Sequence, residues 1–200
     1  MELPKEVFAN PFKTFEAWYK SATVANIVLP ESCALATVSP SGQPSVRIVL
    51  LKEWGFDGFI IYTSYQSRKA FDLLKNSRCA LTFHWASLER QIRIEGRAER
   101  VRREKSESYF KTRPRGSQIG AWASHQSSSI TSRENLQSEI FKIENRFGAH
   151  AEIPCPENWG GYLIVPQSIE FWIGHANRLH DRVLFERRSN EPWLISLLAP

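Results

Sequence analysis

Four of the five residues in the segment RLHDR, residues 178–182, have side chains that can carry charge, although both flanking segments are typical of β-strands. Because side chains alternate across a strand, Arg178, His180 and Arg182 are predicted to share one face. Two cations and an imidazole on one buried face would repel one another unless an anion joined them. Asp181 falls on the opposite face, where a neighbouring cation or a backbone donor is its expected partner. The segment therefore predicts an anion-binding face, with an exposed edge strand protected by charge as the alternative.

Three further segments contain the donor types that bind phosphate groups. Ser67, Arg68 and Lys69 stand at a predicted helix start, where free backbone N–H groups and the helix dipole favour an anion, with Ser67 as the N-cap. The other donors are Arg47, Lys52, Tyr109, Arg113 and Ser117. Arginine suits bidentate contact with phosphate, whereas lysine, serine and tyrosine add single donors. A solvated basic surface explains each cluster equally well by itself, but together the clusters could bind more than one phosphate.

Other chemistries lack their sequence motifs. The chain has no GxGxxG or GxxxxGK[ST] motif, so dinucleotide and P-loop sites are not indicated. Its five histidines and three cysteines show no metal-ligand spacing, and no metal site is predicted. Serines beside His125 do not make a catalytic triad, and a GxSxG motif is absent. If the protein is an enzyme, a cofactor is expected to carry the reaction.

Composition limits the class of protein. The net charge of +5, from 26 Lys and Arg against 21 Asp and Glu, is compatible with nucleic acid, a small phosphorylated ligand or a mildly basic surface. The basic residues fall in separate segments rather than in one stripe, which disfavours nucleic acid. No apolar run is long enough for a membrane span, and the first residues lack a secretory signal pattern. Three widely spaced cysteines favour reduced thiols and a cytoplasmic location.

The elements that must position these residues are mainly short strands. Apolar periodicity predicts helices over 11–25, 67–76, 103–112 and 131–147, and a polar connector over 113–129. Strands are predicted at 33–39, 45–52, 58–63, 79–86, 90–102, 161–166, 168–174, 178–188 and 192–200. This order favours one domain over residues 1–200, a closed or nearly closed antiparallel β-barrel with helices packed outside.

The chain resembles the pyridoxine (pyridoxamine) 5′-phosphate oxidase family from about residue 11 to residue 200. The resemblance rests on several motifs in the same order: RIVLLK, YTSYQSRKA, LERQIRIEG, YFKTRPRGSQIGAWASHQS, WGGYLIVP, IEFWIGHANRLHDR and the terminal LAP. It implies a mainly β fold with helices (α+β), the FMN-binding split β-barrel, and a homodimer with FMN at the subunit interface. Many members have a longer N-terminal arm that closes over the substrate, so a missing or differently built lid is expected here.

The resemblance also implies roles by position. The FMN-contacting positions are Arg47, Ile48, Val49, Leu50, Tyr62, Thr63, Arg68, Lys69, Gln91, Gln126, Ser127, Trp172 and Arg182, and the helix-cap argument adds Ser67. Lys52, Tyr109, Arg113 and Ser117 match the positions that hold the substrate phosphate. Arg178 and His180 match positions that contact the substrate, and these two are expected to be catalytic, with Arg178 orienting the substrate near C4′. His175 falls in a stretch that varies among members and receives no role.

The implied reaction is oxidation of pyridoxine 5′-phosphate or pyridoxamine 5′-phosphate to pyridoxal 5′-phosphate, in the biosynthesis and salvage of vitamin B6. In the family, a hydride passes from substrate C4′ to flavin N5, and O2 then reoxidises the flavin and yields H2O2. A related flavin oxidase with another substrate is one alternative, because split barrels host several chemistries. The other is a non-enzymatic carrier of flavin or pyridoxal phosphate. The phosphate-binding set disfavours the first alternative, and Arg178 with His180 disfavours the second.

Overall fold

The computed structural model describes residues 3–5, 7–188 and 191–200, which form eight β-strands and five α-helices. The strands are β1 Ser32–Val38, β2 Pro44–Gly55, β3 Gly58–Ser64, β4 Arg78–Trp85, β5 Arg90–Arg100, β6 Trp159–Ile173, β7 Asp181–Glu186 and β8 Leu194–Leu197. The helices are α1 Pro11–Val24, α2 Arg68–Lys75, α3 Arg103–Thr112, α4 Arg115–Ala123 and α5 Arg133–Phe147. Within the described ranges, no helix has both the length and the apolar composition that a membrane crossing requires.

Six antiparallel strands close into a barrel in the order β3-β2-β1-β4-β5-β6, with β3 paired to β6. The long strand β6 divides its pairing along its length, because residues 159–164 pair with β3 whereas residues 168–173 pair with β7. β7 and β8 therefore extend the sheet beyond the barrel. The predicted α+β split β-barrel is confirmed, and the segments predicted as separate strands at 161–166 and 168–174 are one strand.

Helix α1 packs on the barrel core through aromatic side chains. Its N-terminus is capped by Asn10, whose Oδ1 accepts hydrogen bonds from the N–H groups of Phe12 and Lys13. Phe15 and Trp18 are buried, and Phe15 meets Phe59 of β3 edge-to-face with 4.9 Å between ring centroids. Edge-to-face aromatic pairs add to the free energy of apolar burial. The helix predicted over 11–25 is confirmed with an end one residue earlier.

The predicted polar connector over 113–129 is corrected by helix α4. Pro114 occupies the N-cap position, where its missing N–H interrupts no helical hydrogen bond. Ile119 and Ala123 are buried, and Ile119 joins an apolar cluster with Phe110 and other side chains beneath α3. The glycines and serines of this segment indicate a loop when it is considered alone. Tertiary burial of the apolar face of α4 outweighs that local preference.

The predicted strand over 178–188 is also corrected at its start. Ala176–Arg178 form a 3₁₀ turn, and strand β7 begins only at Asp181. Asn177 and Arg178 both have left-handed backbone conformations, with φ angles of 58° and 61°. Strand alternation therefore applies neither to Arg178 nor to His180. Of the three residues predicted to share a strand face, only Arg182 lies within β7.

Gly96 lies where a backbone carbonyl approaches β5. The register between β5 and β6 shifts between Glu95 and Gly96, and a Cβ on Gly96 would lie 2.1 Å from the carbonyl oxygen of Val165. Gly96→Ala is expected to lower the free energy of unfolding by about 2–3 kcal/mol because the backbone must shift. Gly55→Ala is the control, since nothing lies within 4 Å of its Cβ position. Denaturant titration of both variants checks this, and equal losses would contradict it.

Candidate active site

An open cavity of about 500 Å³ collects residues from two predicted groups. Seven of its lining residues belong to the predicted cofactor set: Ile48, Val49, Leu50, Tyr62, Thr63, Lys69 and Gln126. All four residues of the predicted phosphate-binding set also line it: Lys52, Tyr109, Arg113 and Ser117. The size is within the range of about 300–1,000 Å³ that is common for small-molecule sites. Segments far apart in the sequence thus meet at one cavity.

Lys69 is the buried cation of this cavity. Its Nζ donates hydrogen bonds to Thr63 Oγ1 at 3.1 Å, Ser67 Oγ at 3.2 Å and Gln126 Oε1 at 2.9 Å. Burial, with a smaller contribution from the nearby Arg47, lowers the pKa of Lys69 to about 8. No carboxylate contacts Nζ among the described residues, so an anionic ligand would supply the missing countercharge.

Ser67 occupies the N-cap position of α2, as predicted, but its side chain does not cap the helix. The hydroxyl is fully buried, donates to the carbonyl oxygen of Ser64 at 2.8 Å and accepts from Lys69. Ser67 therefore contributes to the cavity by holding Lys69. Arg68 is exposed in the first turn of α2 and does not line the cavity.

Arg47 does not line the cavity, and its guanidinium is held by two hydroxyl groups and by a longer ion pair with Asp72, with 4.0 Å between Nη2 and Oδ2. Its Nη1 donates to the Thr37 hydroxyl at 2.8 Å, and its Nη2 donates to the Ser45 hydroxyl at 2.8 Å. The Thr37 hydroxyl in turn donates to the buried Asp72 carboxylate at 2.7 Å. Arg47, Arg68 and Lys69 thus form a group of three cations at the start of α2, with Asp72 as a buried carboxylate behind them.

An aromatic stack also lines the cavity. The rings of Tyr62 and Tyr109 lie nearly parallel with 3.9 Å between centroids, and Trp159 continues the stack. The Tyr62 hydroxyl donates to Glu53 Oε1 at 2.7 Å, which fixes the ring orientation. Burial is the main cause of the raised pKa of Tyr62, and the Glu53 carboxylate raises it further.

Arg113 has a donor without a partner. Its guanidinium lies over the Trp159 ring at 4.6 Å, and its Nη1 is buried with no hydrogen-bond partner among the described residues. Burial lowers the pKa of Arg113, although the charged form persists at neutral pH. A buried donor without a partner is costly, so this geometry is suited to an anion that accepts from Nη1.

Lys52 and Ser117 also line this cavity. Lys52, on β2, has no hydrogen-bond partner in the part of the chain that the structure describes. Ser117 is exposed in the first turn of α4, where the first N–H groups of a helix lack intrahelical acceptors. Donors from β2, α3, α4 and the segment between the two helices therefore line one cavity.

The remaining predicted residues form a second group outside this cavity. Gln91, Trp172 and Arg182 are neighbours across β5, β6 and β7 in one register row. The His180 ring lies 4.6 Å from the Trp172 ring, and Arg178 is exposed in the preceding turn. His180 and Arg182 line a separate cavity of about 450 Å³ together with residues 197–200. One protomer therefore does not bring Arg178 and His180 to the first cavity.

The local contacts of His180 determine its tautomer. Its Nδ1 accepts a hydrogen bond from the backbone N–H of His175 at 3.1 Å. In the neutral imidazole, the proton must then reside on Nε2, which becomes a donor. His175 Nε2 lies 2.8 Å from Asp181 Oδ2, so the partner of Asp181 is a residue with no predicted role. No sequence pattern indicates this pair, because it depends on the turn at 176–178.

Ser127 is placed apart from the other predicted cofactor residues. Its backbone is left-handed, with φ of 73°, and its side chain is exposed. It lines a neighbouring cavity against α5 instead of the one that holds Gln126. Adjacent residues thus contribute to different surfaces, because the chain turns sharply after α4.

The closed antiparallel sheet with its two additional strands places the protein in the split β-barrel class, and sequence comparison identifies the family. The chain belongs to the pyridoxamine 5′-phosphate oxidase family: the family described as "Pyridoxamine 5′-phosphate oxidase" matches residues 20–147. A second family model, described as the "Pyridoxine 5′-phosphate oxidase C-terminal dimerisation region", matches residues 159–200.

Curated relatives and solved structures agree with this membership. A pyridoxine/pyridoxamine 5′-phosphate oxidase from Psychromonas ingrahamii is 49% identical, over 96% of this chain and 87% of the relative. One from Aliarcobacter butzleri is 46% identical, over 98% of this chain and 92% of the relative. PhzG from Burkholderia lata 383, solved with tetrahydrophenazine-1-carboxylic acid, has a TM-score of 0.91 at 27% identity and covers 100% of this chain and 98% of its own. An FMN-binding protein from Nostoc punctiforme, with a TM-score of 0.76 at 15% identity and full coverage of both chains, shares the fold.

Proposed function

We propose that the protein is an FMN-dependent enzyme that oxidises pyridoxine 5′-phosphate or pyridoxamine 5′-phosphate to pyridoxal 5′-phosphate, with O2 as acceptor and H2O2 as product. The observation that carries the proposal is the buried Nη1 of Arg113, which finds no hydrogen-bond partner in the described part of the chain and lies in a cavity that also contains Lys69. Two cationic groups in one cavity suit two phosphates, one on the cofactor and one on the substrate. Relatives named for this activity, at 46–49% identity over nearly the whole chain, support the same conclusion.

The residues present fit FMN. Lys69, Arg68 and Arg47 would bind the FMN phosphate at the start of α2, where no carboxylate of the described residues contacts Lys69. The β2 residues Ile48, Val49 and Leu50 and the side chains of Tyr62, Thr63 and Gln126 line the space beside it. When bound, FMN would accept the hydride from the substrate and pass the electrons to O2.

The substrate phosphate would bind between Lys52, Tyr109, Arg113 and Ser117. Arg113 Nη1 and the Lys52 ammonium supply charge, while the Tyr109 and Ser117 hydroxyls supply single hydrogen bonds. Holding the phosphate at a fixed distance from the flavin site orients the pyridine ring. The protein would therefore act mainly by positioning the two reactants.

A homodimer would complete the site. Within one chain, the turn that carries Arg178 lies apart from the cavity that contains Arg113. The matched dimerisation region covers β6, β7 and β8, which carry the second group of predicted residues. Val46 and Ile48 of β2 are 64% and 65% exposed, an apolar surface beside the cavity that a partner would cover. We propose that each protomer presents Gln91, Trp172, Arg178, His180 and Arg182 to the cavity of its partner.

Arg178 and His180 would then act on the substrate ring. Arg178 has no partner among the described residues and is free to orient the substrate near C4′. His180 would donate from Nε2 to a substrate acceptor, because its Nδ1 is already occupied. Both roles are binding and orientation.

Purification and spectroscopy test the proposal. The protein is expected to show a flavin spectrum, or to gain one with FMN, and to form aldehyde and H2O2 from either phosphorylated substrate under air. A colourless protein that FMN cannot reconstitute would overturn the proposal. Flavin binding without turnover would favour a carrier.

Because a PhzG structure contains a tricyclic carboxylic acid, unphosphorylated pyridoxine and such an acid are the comparison substrates. Equal turnover with them would favour a related oxidase of different specificity.

Lys69 predicts a pH dependence of FMN binding. Its pKa of about 8 in the FMN-free protein means that it loses its proton within an accessible range. Bound phosphate favours the protonated form, so the FMN dissociation constant should rise above pH 8, by up to about tenfold per pH unit. Lys69→Arg keeps its charge throughout this range and is expected to flatten the profile. Fluorescence titration from pH 6.5 to 9.5 measures both proteins, and identical profiles would contradict the assignment.

The same residue predicts the opposite trend for the stability of the FMN-free protein. Burial lowers the folded pKa of Lys69 from 10.5 to about 8, so between these values the unfolded chain binds more protons than the folded one. The free energy of unfolding contributed by Lys69 therefore rises with pH across that window. Denaturation at pH 8 and pH 10, compared between the wild type and Lys69→Met, isolates this contribution.

A further inference from the structure

We propose that Glu170 is a positioning residue for flavin binding, which holds Arg182 so that one guanidinium nitrogen remains directed to the flavin. The inference rests on the proposed function and extends it to a residue outside both cavities. Neither the sequence motifs nor the alternation of strands indicates this role, because Glu170 alone resembles any polar residue on the outer face of a strand.

Glu170 is a buried carboxylate shared by two arginines. It is 5% exposed on β6, on the same face as Trp172 and diagonal to Arg182 of β7. Its Oε1 accepts from Arg182 Nε at 2.7 Å, and its Oε2 accepts from Arg93 Nη1 at 2.9 Å. Arg93 also donates to Glu95 at 2.9 Å. The carboxylate is therefore compensated from both sides, as a buried charge requires.

Two of the three guanidinium nitrogens of Arg182 have hydrogen-bond acceptors within the protein. Nε is bound to Glu170, and Nη1 donates to the carbonyl oxygen of Ala199 at 3.0 Å. Nη2 has no partner among the described residues and lies on the guanidinium edge that remains available. A guanidinium held at two nitrogens loses little further conformational entropy when the third binds a ligand. Glu170 and the Ala199 carbonyl would thus preorganise Arg182.

A positioning role and a purely electrostatic role predict opposite effects. A carboxylate beside an anion-binding arginine weakens the local positive potential, so its removal would strengthen the binding of an anionic ligand if charge alone mattered. Positioning predicts weaker binding, because the released guanidinium becomes mobile. The core side chains Phe171 and Phe185 are fully buried and lie on the opposite face of the sheet from Glu170.

The test measures FMN affinity by fluorescence quenching in FMN-free protein. Glu170→Gln is expected to weaken FMN binding by about tenfold or more, the range for hydrogen bonds to charged groups. Glu95→Gln is the matched control, because it removes the other carboxylate partner of Arg93 without contacting Arg182, and its affinity should stay within about twofold of wild type. Tighter or unchanged binding by Glu170→Gln would overturn the proposal.

A double-mutant cycle distinguishes positioning from a general loss of structure. In an Arg182→Ala background, Glu170→Gln is expected to cause no further loss of FMN affinity, whereas independent losses would overturn the proposal. If Glu170→Gln does not fold, Arg182→Lys provides the test, since it keeps the charge but not the guanidinium. Wild-type FMN affinity in that variant would also overturn the proposal.

A wild-type protein that binds no FMN would overturn the proposed function together with this inference. Normal FMN binding by the wild type, with unchanged affinity in Glu170→Gln, would overturn this inference alone.

Discussion

Replacing Arg113 by alanine is expected to raise the KM for both phosphorylated substrates by about 100-fold, with kcat changed by less than about threefold. Arg113 Nη1 is buried and has no hydrogen-bond partner within residues 3–5, 7–188 and 191–200, so the phosphate would gain a charge-assisted hydrogen bond in a partly dehydrated position. Loss of that contact removes binding that is equal in the ground state and the transition state, which changes KM rather than kcat. Steady-state kinetics on the FMN-loaded variant measure both constants.

Lys111→Ala is the control for charge near the site. Lys111 is exposed, pairs with Glu152 and does not line the cavity. Its substitution should leave KM within about twofold, because exposed ion pairs contribute little. FMN affinity of Arg113→Ala should also be unchanged, since Lys69 and its neighbours bind the other phosphate. An unchanged KM in Arg113→Ala would contradict the phosphate assignment.

Replacing Arg178 by alanine is expected to lower kcat by at least about 100-fold while FMN affinity stays within about twofold. Arg178 is exposed, has no partner among the described residues and lies in a turn outside β7, so little of the fold depends on its side chain. Its proposed contact is with the substrate near C4′, where a loss of orientation slows the reaction itself. Turnover per bound flavin, with FMN affinity measured separately, is the required readout.

Asn177→Ala is the matched control for the turn. Asn177 is exposed and left-handed like Arg178, but it has no proposed ligand contact. The kcat of Asn177→Ala should stay within about threefold of the wild-type value if the loss in Arg178→Ala comes from its side chain and not from a changed turn. Strain at one left-handed residue is of order 1–3 kcal/mol and would lower the stability of the fold. A variant Arg178→Ala that loses flavin but keeps its turnover per bound flavin would reverse the assignment.

Local sequence patterns were sufficient for most of the barrel. The alternation in residues 90–102 puts Ile92 and Ile94 on the buried face, and the structure agrees. Such patterns succeed because a strand with one buried face specifies its own period. They fail for α4, where Gly116 and Gly120 resemble loop residues and burial of Ile119 stabilises the helix.

The segment RLHDR, residues 178–182, shows which properties follow from the sequence and which depend on the tertiary structure. The sequence by itself determined the family, the barrel and the types of donor available, because motif order and side-chain chemistry are local properties. Only the tertiary structure decided that Arg178 lies in a left-handed turn, that Asp181 pairs with His175 and that Arg182 is held by Glu170. It also decided that Lys69 and Gln126, 57 residues apart, share a hydrogen bond. These contacts depend on which strands become neighbours, and that is a property of the whole closed barrel rather than of any segment.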